Sequence, residues 1–160
     1  MDHRQIQFRE GLAFAKASQP SLTELQQLQA LFRAAAFWAK DRRAEDLGIA
    51  IAHSKPVISV WDGEDLIGFA RATSDGIYRA TIWDVVIHPA YRGAGLGRKL
   101  VQTMLAHPHM NKVERVYLTT THQQSFYERI GFQTNSSTTM VLHQGISAAP
   151  VAPLTAEVTH

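Results

Sequence analysis

Apolar residues recur at helical spacing early in the chain and alternate or run together in shorter stretches later. Ile6 to Arg9 alternates and predicts a short first strand. In "SQPSLTELQQLQALFRAAAFWA", Leu22, Leu25, Leu28, Leu31 and Phe32 fall on one helical face, and Ser21 with Glu24 makes a capping box at its start. "RRAEDLGIAIAHS" predicts a second helix, weakened by Gly48. "PVISVWD" and "LIGFARAT" predict two strands around the turn signal "DGED". "YRATIWDVVIHP" predicts a long strand, and "GLGRKLVQTMLAHP" a helix stopped by Pro108. "VERVYLTTT" predicts a strand, "QQSFYERIGF" a short helix ended by Gly131, and "STTMVLH" a final strand. Helices, then an antiparallel meander, then strand–helix–strand predict a mixed α/β domain, without an internal repeat or a second domain. From Gly145 onward the chain is rich in Ala, Pro and Thr and has no periodic apolar face. Residues 1–144 are therefore expected to form the domain and 145–160 a disordered tail.

Composition narrows the class. A chain of 160 residues with 45% hydrophobic content suits one domain with a sizeable core. No apolar run approaches the roughly 18 residues of a membrane span, and no charged segment leads into an apolar block at the start. Neither a membrane partner nor a signal peptide is expected. The absence of cysteine excludes disulfides, thiolate zinc sites and cysteine nucleophiles, and fits a reducing, cytoplasmic compartment. A formal charge of +2 is too small to point to nucleic acid.

The candidate chemistry lies in "DVVIHPAYRGAGLGRKLV", where Gly93, Gly95 and Gly97 sit between a predicted strand and helix. A dinucleotide fingerprint needs its third glycine one residue later, and a P-loop needs Lys and Ser/Thr directly after its last glycine. Neither order is present. What remains is a phosphate cradle with its own spacing: glycine lets backbone N–H groups approach an anion, and the following helix start adds partial positive charge. Arg92, Arg98 and Lys99 add full charges nearby, so a pyrophosphate is the expected guest. A merely connecting turn would not need three glycines, each of which costs roughly 1 kcal/mol at a helix start.

Arg92-x-x-Gly95-x-Gly97 after a strand carrying Val85 and Ile87 resembles the acetyl-CoA signature of the GNAT superfamily of N-acetyltransferases. "FYERIGF", Phe126 to Phe132, resembles that superfamily's later helix. The resemblance implies a GNAT fold, with a mostly antiparallel central sheet, a splayed strand pair and flanking helices. It also implies acetyl-CoA lying against the strand Ile82 to His88, touching Val85, Val86 and Ile87. The amides of Arg92, Gly93, Ala94, Gly95, Leu96 and Gly97 would hold the pyrophosphate. Arg98 or Lys99 would meet the 3′-phosphate, with a solvated helix face as the alternative. "ARATSD" and "ATIWDV" are similar to the plastid and cyanobacterial serotonin N-acetyltransferase branch. Thr120 stands where that branch often has Asn or Asp, and its hydroxyl is the candidate contact to the cofactor there.

Acetyl transfer to an amine must remove a proton from an ammonium, stabilise the thioester oxygen and protonate a leaving thiolate. Asp84, the only charged residue in "ATIWDVVIHPA", is the candidate base, acting directly or through a water; an apolar strand would make its carboxylate a better proton acceptor. A structural carboxylate is the alternative. On strict alternation Asp84 shares a face with Val86, opposite Trp83, Val85 and Ile87, and a bulge would change its aim. Tyr127 is the candidate acid, with a core aromatic as its alternative. The resemblance also implies the Val86 N–H, where that family's strand splays, as the oxyanion donor. Trp61, Phe69, Tyr78 and Trp83 are a candidate aromatic wall; His88 and His122 are candidate relays; His107 and His109 make a weak two-ligand metal idea, and no metal is expected. Arg71 and Asp75 are read as a candidate salt bridge at the surface and receive no role in the site. Three functions follow: acetylation of an arylalkylamine such as serotonin, acetylation of protein lysines or N-termini, and acetyl-CoA binding without turnover. A homodimer stays open.

Overall fold

Five strands build one sheet in the order β1-β2-β3-β4-β5. They are β1 (Ile6–Glu10), β2 (Val57–Asp62), β3 (Asp65–Ser74), β4 (Arg79–Ile87) and β5 (Arg115–Tyr117). The first four pair antiparallel and β5 pairs parallel to β4. The computed structural model describes residues 5–12 and 19–145. These residues fall into two compact units, one ending at Leu118 and the other beginning at Thr119. The sheet lies in the first. Most of the expected tail, residues 146–160, lies outside the described residues.

Helix α1 (Leu22–Ala35) starts as its sequence requires. Ser21 Oγ accepts from the Glu24 N–H at 3.2 Å, and Glu24 Oε1 accepts from the Ser21 N–H at 2.7 Å. Leu28, Leu31 and Phe32 are buried against Trp61, Phe69 and Val86, with Phe32 edge-on to Phe69 at 5.8 Å. The helix is shorter than predicted: the chain turns extended at Ala36 and makes a 3₁₀ turn at Phe37–Ala39 before α2 (Ala44–Ala52). Val57 to Trp61 of β2 are all buried, without alternation, as befits a strand covered on both faces. Trp61 is fully buried, and its indole N–H donates to Ser59 Oγ at 2.8 Å. Helix α3 (Leu96–Ala106) buries Leu100, Val101 and Met104 and packs on β2, β3 and β4. Truncating Leu100 to Ala would cost about 2–5 kcal/mol.

One predicted element is absent. Residues 137–143 pair with no strand among the described residues, and Met140, Val141 and Leu142 are exposed. The apolar residues of that run are consecutive, so they offer no single face to bury, and threonine alone does not make a strand without cross-strand partners.

Candidate active site

Strand β4 is followed by His88, whose Nδ1 accepts from the Ala90 N–H at 3.1 Å and caps a 3₁₀ turn at Pro89–Tyr91. That bond occupies Nδ1. Gly93 and Gly95 follow with φ of 83° and 79°. A Cβ at either would meet nothing of this chain within 4 Å. Backbone conformation, not crowding inside the protein, therefore demands glycine, and the space above both residues is open. An ordinary side chain at such φ costs roughly 1–2 kcal/mol. Gly95 is the N-cap of α3 and no side chain caps that helix, so its first-turn amides have no partner from the cap. Gly97 lies inside α3 and is not at positive φ. An open cradle of amides at a helix start, with exposed Arg98 in its first turn, fits a diphosphate. Lys99, the other candidate for the 3′-phosphate, holds its ammonium 4.6 Å over the Phe8 ring. Arg92 points Nε at the Ile87 carbonyl (3.3 Å) and Nη2 at the Ala35 carbonyl (3.5 Å), joining the loop to the end of α1.

Beside the cradle, β4 has an open edge. It pairs with β5 only through Arg79, Ala80 and Thr81. From Ile82 onward that edge has no ladder partner among the described residues. The His88 N–H donates to the Ile67 carbonyl at 2.7 Å, and Val86 and Ile87 stand opposite Phe69 and Gly68 in the same register. Backbone amides alternate sides along a strand, so the Val86 N–H faces β3 and the Ile87 N–H faces the open edge. The expectation that Val86 supplies the oxyanion donor is corrected on that ground. Ile87, and Val85 one pleat back, carry the amides that face the gap.

The register jumps between these residues and Trp83, which stands opposite Arg71. Asp84 and Val85 therefore oppose Ala70 alone, which is a β-bulge. Asp84 has φ of 57°, the only non-glycine positive φ among the described residues. Aspartate tolerates this conformation better than most side chains, at a cost of order 1 kcal/mol. Its side chain is 6% exposed, and Oδ2 accepts from Arg42 Nη1 and from Arg71 Nε, both at 2.8 Å. The sequence reading of an isolated carboxylate in an apolar strand missed both arginines. Arg71 also donates through Nη1 to Ser54 Oγ at 3.2 Å, and Arg42 lies 5.6 Å over the Phe32 ring. The Arg42 carbonyl accepts from Gln29 Nε2 at 3.1 Å, fixing its backbone to α1.

Asp75, set beside Arg71 in the sequence reading, instead accepts the amides of Ile77, Tyr78 and Arg79, and the first two hold its carboxyl below the usual range. The aromatic wall divides. Trp61 and Phe69 are core, whereas Trp83 and Tyr78 are exposed, as are Phe37 and Trp38, which the sequence reading passed over. His107 Nδ1 accepts from the His109 N–H, which leaves Nε2–H to donate to Glu10 Oε1 at 2.7 Å; His109 Nε2 bonds the Ser74 carbonyl at 2.9 Å. Both rings are used in tying loops together, against the two-ligand metal idea. Among the described residues, no group of three or more potential ligands is arranged for a metal.

In the second unit, helix α4 (Gln124–Glu128) carries Tyr127. The Phe132 and Ile130 N–H groups donate to the Tyr127 carbonyl at 3.1 and 3.0 Å, and Gly131 at φ 119° closes the turn. The phenol ring is half-buried, 4.9 Å from Phe126 and 5.7 Å from Phe132, and burial pushes it up to about 12. Thr120 Oγ1 accepts from the Gln123 N–H at 3.1 Å, which leaves its hydroxyl proton as a donor.

A model of the acetyltransferase (GNAT) family matches residues 24–132. The chain belongs to that family. A Porphyra purpurea protein named uncharacterized N-acetyltransferase ycf52 is 39% identical over 100 residues, covering 59% of this chain and 57% of that protein. The chain thus spans little more than half the length of that relative. A Glycine max protein named histone acetyltransferase TAP1 is 41% identical over 69 residues, 42% of this chain and 30% of that protein. A Streptococcus pneumoniae GNAT-family acetyltransferase superposes with TM-score 0.68 at 22% identity, over 87% of this chain and 98% of that one. The PaiA N-acetyltransferase of Thermoplasma acidophilum, in complex with coenzyme A, gives 0.63 at 17%, over 83% and 92%. Both structures share the fold.

Proposed function

We propose that the chain transfers acetyl from acetyl-CoA to a primary amine by direct attack, with an arylalkylamine such as serotonin as acceptor. The observation that carries this is the open cradle at Gly93 and Gly95 beside the unpaired edge of β4, in a chain of the acetyltransferase family. Acetyl-CoA supplies an acetyl thioester. The amides of residues 92–97 bind its diphosphate, and the open-edge amides of Val85 and Ile87 donate to the thioester oxygen as it gains charge. The amine nitrogen forms its bond to the acetyl carbon and the carbon–sulfur bond breaks. Removing the ammonium proton beforehand costs on the order of 4–5 kcal/mol at pH 7 for a lysine-like amine. Asp84 accepts that proton through a water at Oδ1, since Oδ2 is committed to two arginines.

Tyr127 donates a hydrogen bond to the departing sulfur. Complete transfer from a phenol at about 12 to a thiolate near 8.5 is uphill by roughly 3.5 units, about 5 kcal/mol. The phenol therefore stabilises the thiolate, and solvent supplies the final proton. The net change is ammonium plus thioester to amide, thiol and one proton.

The exposed aromatics Phe37, Trp38, Tyr78 and Trp83 support a ring-bearing acceptor, as do the branch-like stretches "ARATSD" and "ATIWDV". The relative named histone acetyltransferase supports a second reading, a protein amine. We place the activity in a reducing compartment such as the cytoplasm, on the cysteine-free composition. Incubation of the full chain with acetyl-CoA and either serotonin or a lysine-peptide panel, followed by mass spectrometry, separates these. Acetylserotonin is expected. Acetylated peptides alone would replace the acceptor, and acetyl-CoA binding without any product would leave a non-catalytic module.

A further inference from the structure

We propose that Arg42 and Arg71 are positioning residues: they grip Asp84 from two sides, hold the β4 bulge in its left-handed conformation, and so set both the aim of that carboxylate and the direction of the open-edge amides. The inference rests on the acetyl-transfer reading for its catalytic part only. Three elements meet at one oxygen. Arg71 comes from β3, the strand that faces the bulge, and Arg42 from the connection between α1 and α2, 42 residues away in sequence. Each guanidinium is held elsewhere, Arg71 by Ser54 Oγ and Arg42 by the Phe32 ring, with its carbonyl bound to Gln29. Ser54 itself donates to the Ala50 carbonyl at 2.6 Å, which ties Arg71 to the end of α2. The carboxylate is therefore fixed by groups that are themselves fixed.

A bulged residue at positive φ has neighbouring backbone geometries open to it, and a one-residue slip would turn the amides of Val85 and Ile87 back toward β3. Two charge-assisted bonds to the side chain of that residue oppose the slip. Arg42 adds a connection that Arg71 does not. It belongs to the same link as exposed Phe37 and Trp38, whose other end is held by Arg92 at the Ala35 carbonyl. The link is thus fastened to β4 at the bulge and to the cradle loop at Arg92.

The test uses Arg42→Gln, which keeps donors but loses charge, and Arg42→Lys, which keeps the charge. In Arg42→Gln, kcat for the amine is expected to fall about tenfold with the KM for acetyl-CoA within twofold of wild type. Arg42→Lys should restore kcat. A second readout needs no catalysis: amide hydrogen exchange at Val86 and His88, whose N–H groups face β3, should quicken about tenfold in Arg42→Gln and not in the surface control Arg33→Gln. An unchanged kcat in Arg42→Gln together with unchanged exchange overturns the proposal. If the wild-type chain acetylates no amine, the acetyl-transfer reading fails, and the exchange result alone decides whether the clasp holds the bulge.

Discussion

Replacing Gly95 by Asn separates what the cradle does for the fold from what it does for a ligand. Gly95 caps α3 at φ 79°. Asparagine is among the few other residues that enter this region, so the backbone keeps its path at a cost of about 1 kcal/mol or less. The new Cβ meets no atom of the chain within 4 Å. The melting temperature should therefore fall by no more than about 4 °C for a chain of this size. The ligand is affected differently. A side chain over the cradle displaces the diphosphate from the amides, and the loss of two charge-assisted bonds at roughly 1.5–3 kcal/mol each weakens binding by about 150-fold or more. Calorimetric titration with coenzyme A, beside a thermal melt of the same preparation, measures both. A dissociation constant within threefold of wild type, in a variant that melts normally, would refute the cradle.

Tyr127→Phe should lower kcat by about 100-fold with coenzyme A affinity unchanged; an unaltered kcat removes the phenol from the mechanism. Asp84→Ala leaves two arginines facing a buried void and forces Ala to positive φ, so it should cost about 3–5 kcal/mol, while Asp84→Asn, which keeps an acceptor and tolerates the conformation, should cost about 1–2 kcal/mol; equal denaturant midpoints for the two variants would contradict the clasp. Because the folded phenol of Tyr127 is raised to about 12, above its unfolded value near 10, the unfolded chain loses that proton first; stability should be whole below pH 10 and fall between pH 10 and 12 by on the order of 1–2 kcal/mol, a decline that Tyr127→Phe removes. Trp38→Ala should raise the KM for serotonin about tenfold while sparing that for acetyl-CoA, and an unchanged serotonin KM would take the exposed turn out of the acceptor site.

What could be read in advance was local. The capping box of α1 and the "DGED" hairpin each act within a few residues and appear where their chemistry requires, and Gly93 and Gly95 take the positive φ that glycine allows. The partners of Asp84 were illegible because the nearer arginine is 13 residues away and the other 42, and only the sheet register brings them to one oxygen. The resemblance put the oxyanion donor at Val86 for a related reason: it speaks of a splayed strand and not of its register, and only the His88 bond to Ile67 shows which amides face the gap. Trp61 and Phe69 looked like pocket residues because an aromatic in a strand serves core and cleft alike; burial on both faces of β2 and β3 decides for the core. The apolar triplet Met140, Val141 and Leu142 resembled a strand by composition, but a strand depends on an edge that sequence does not supply.

The central claim is that main-chain amides between Arg92 and Gly97 take hold of a diphosphate and thereby bring a thioester to the open edge of β4. Titrating the full chain with acetyl-CoA and, separately, with acetyl-pantetheine, which keeps the thioester and lacks the diphosphate, tests it most directly. Acetyl-CoA should bind at least about 100-fold more tightly. Equal affinities for the two, or no binding of either to the folded protein, would contradict it.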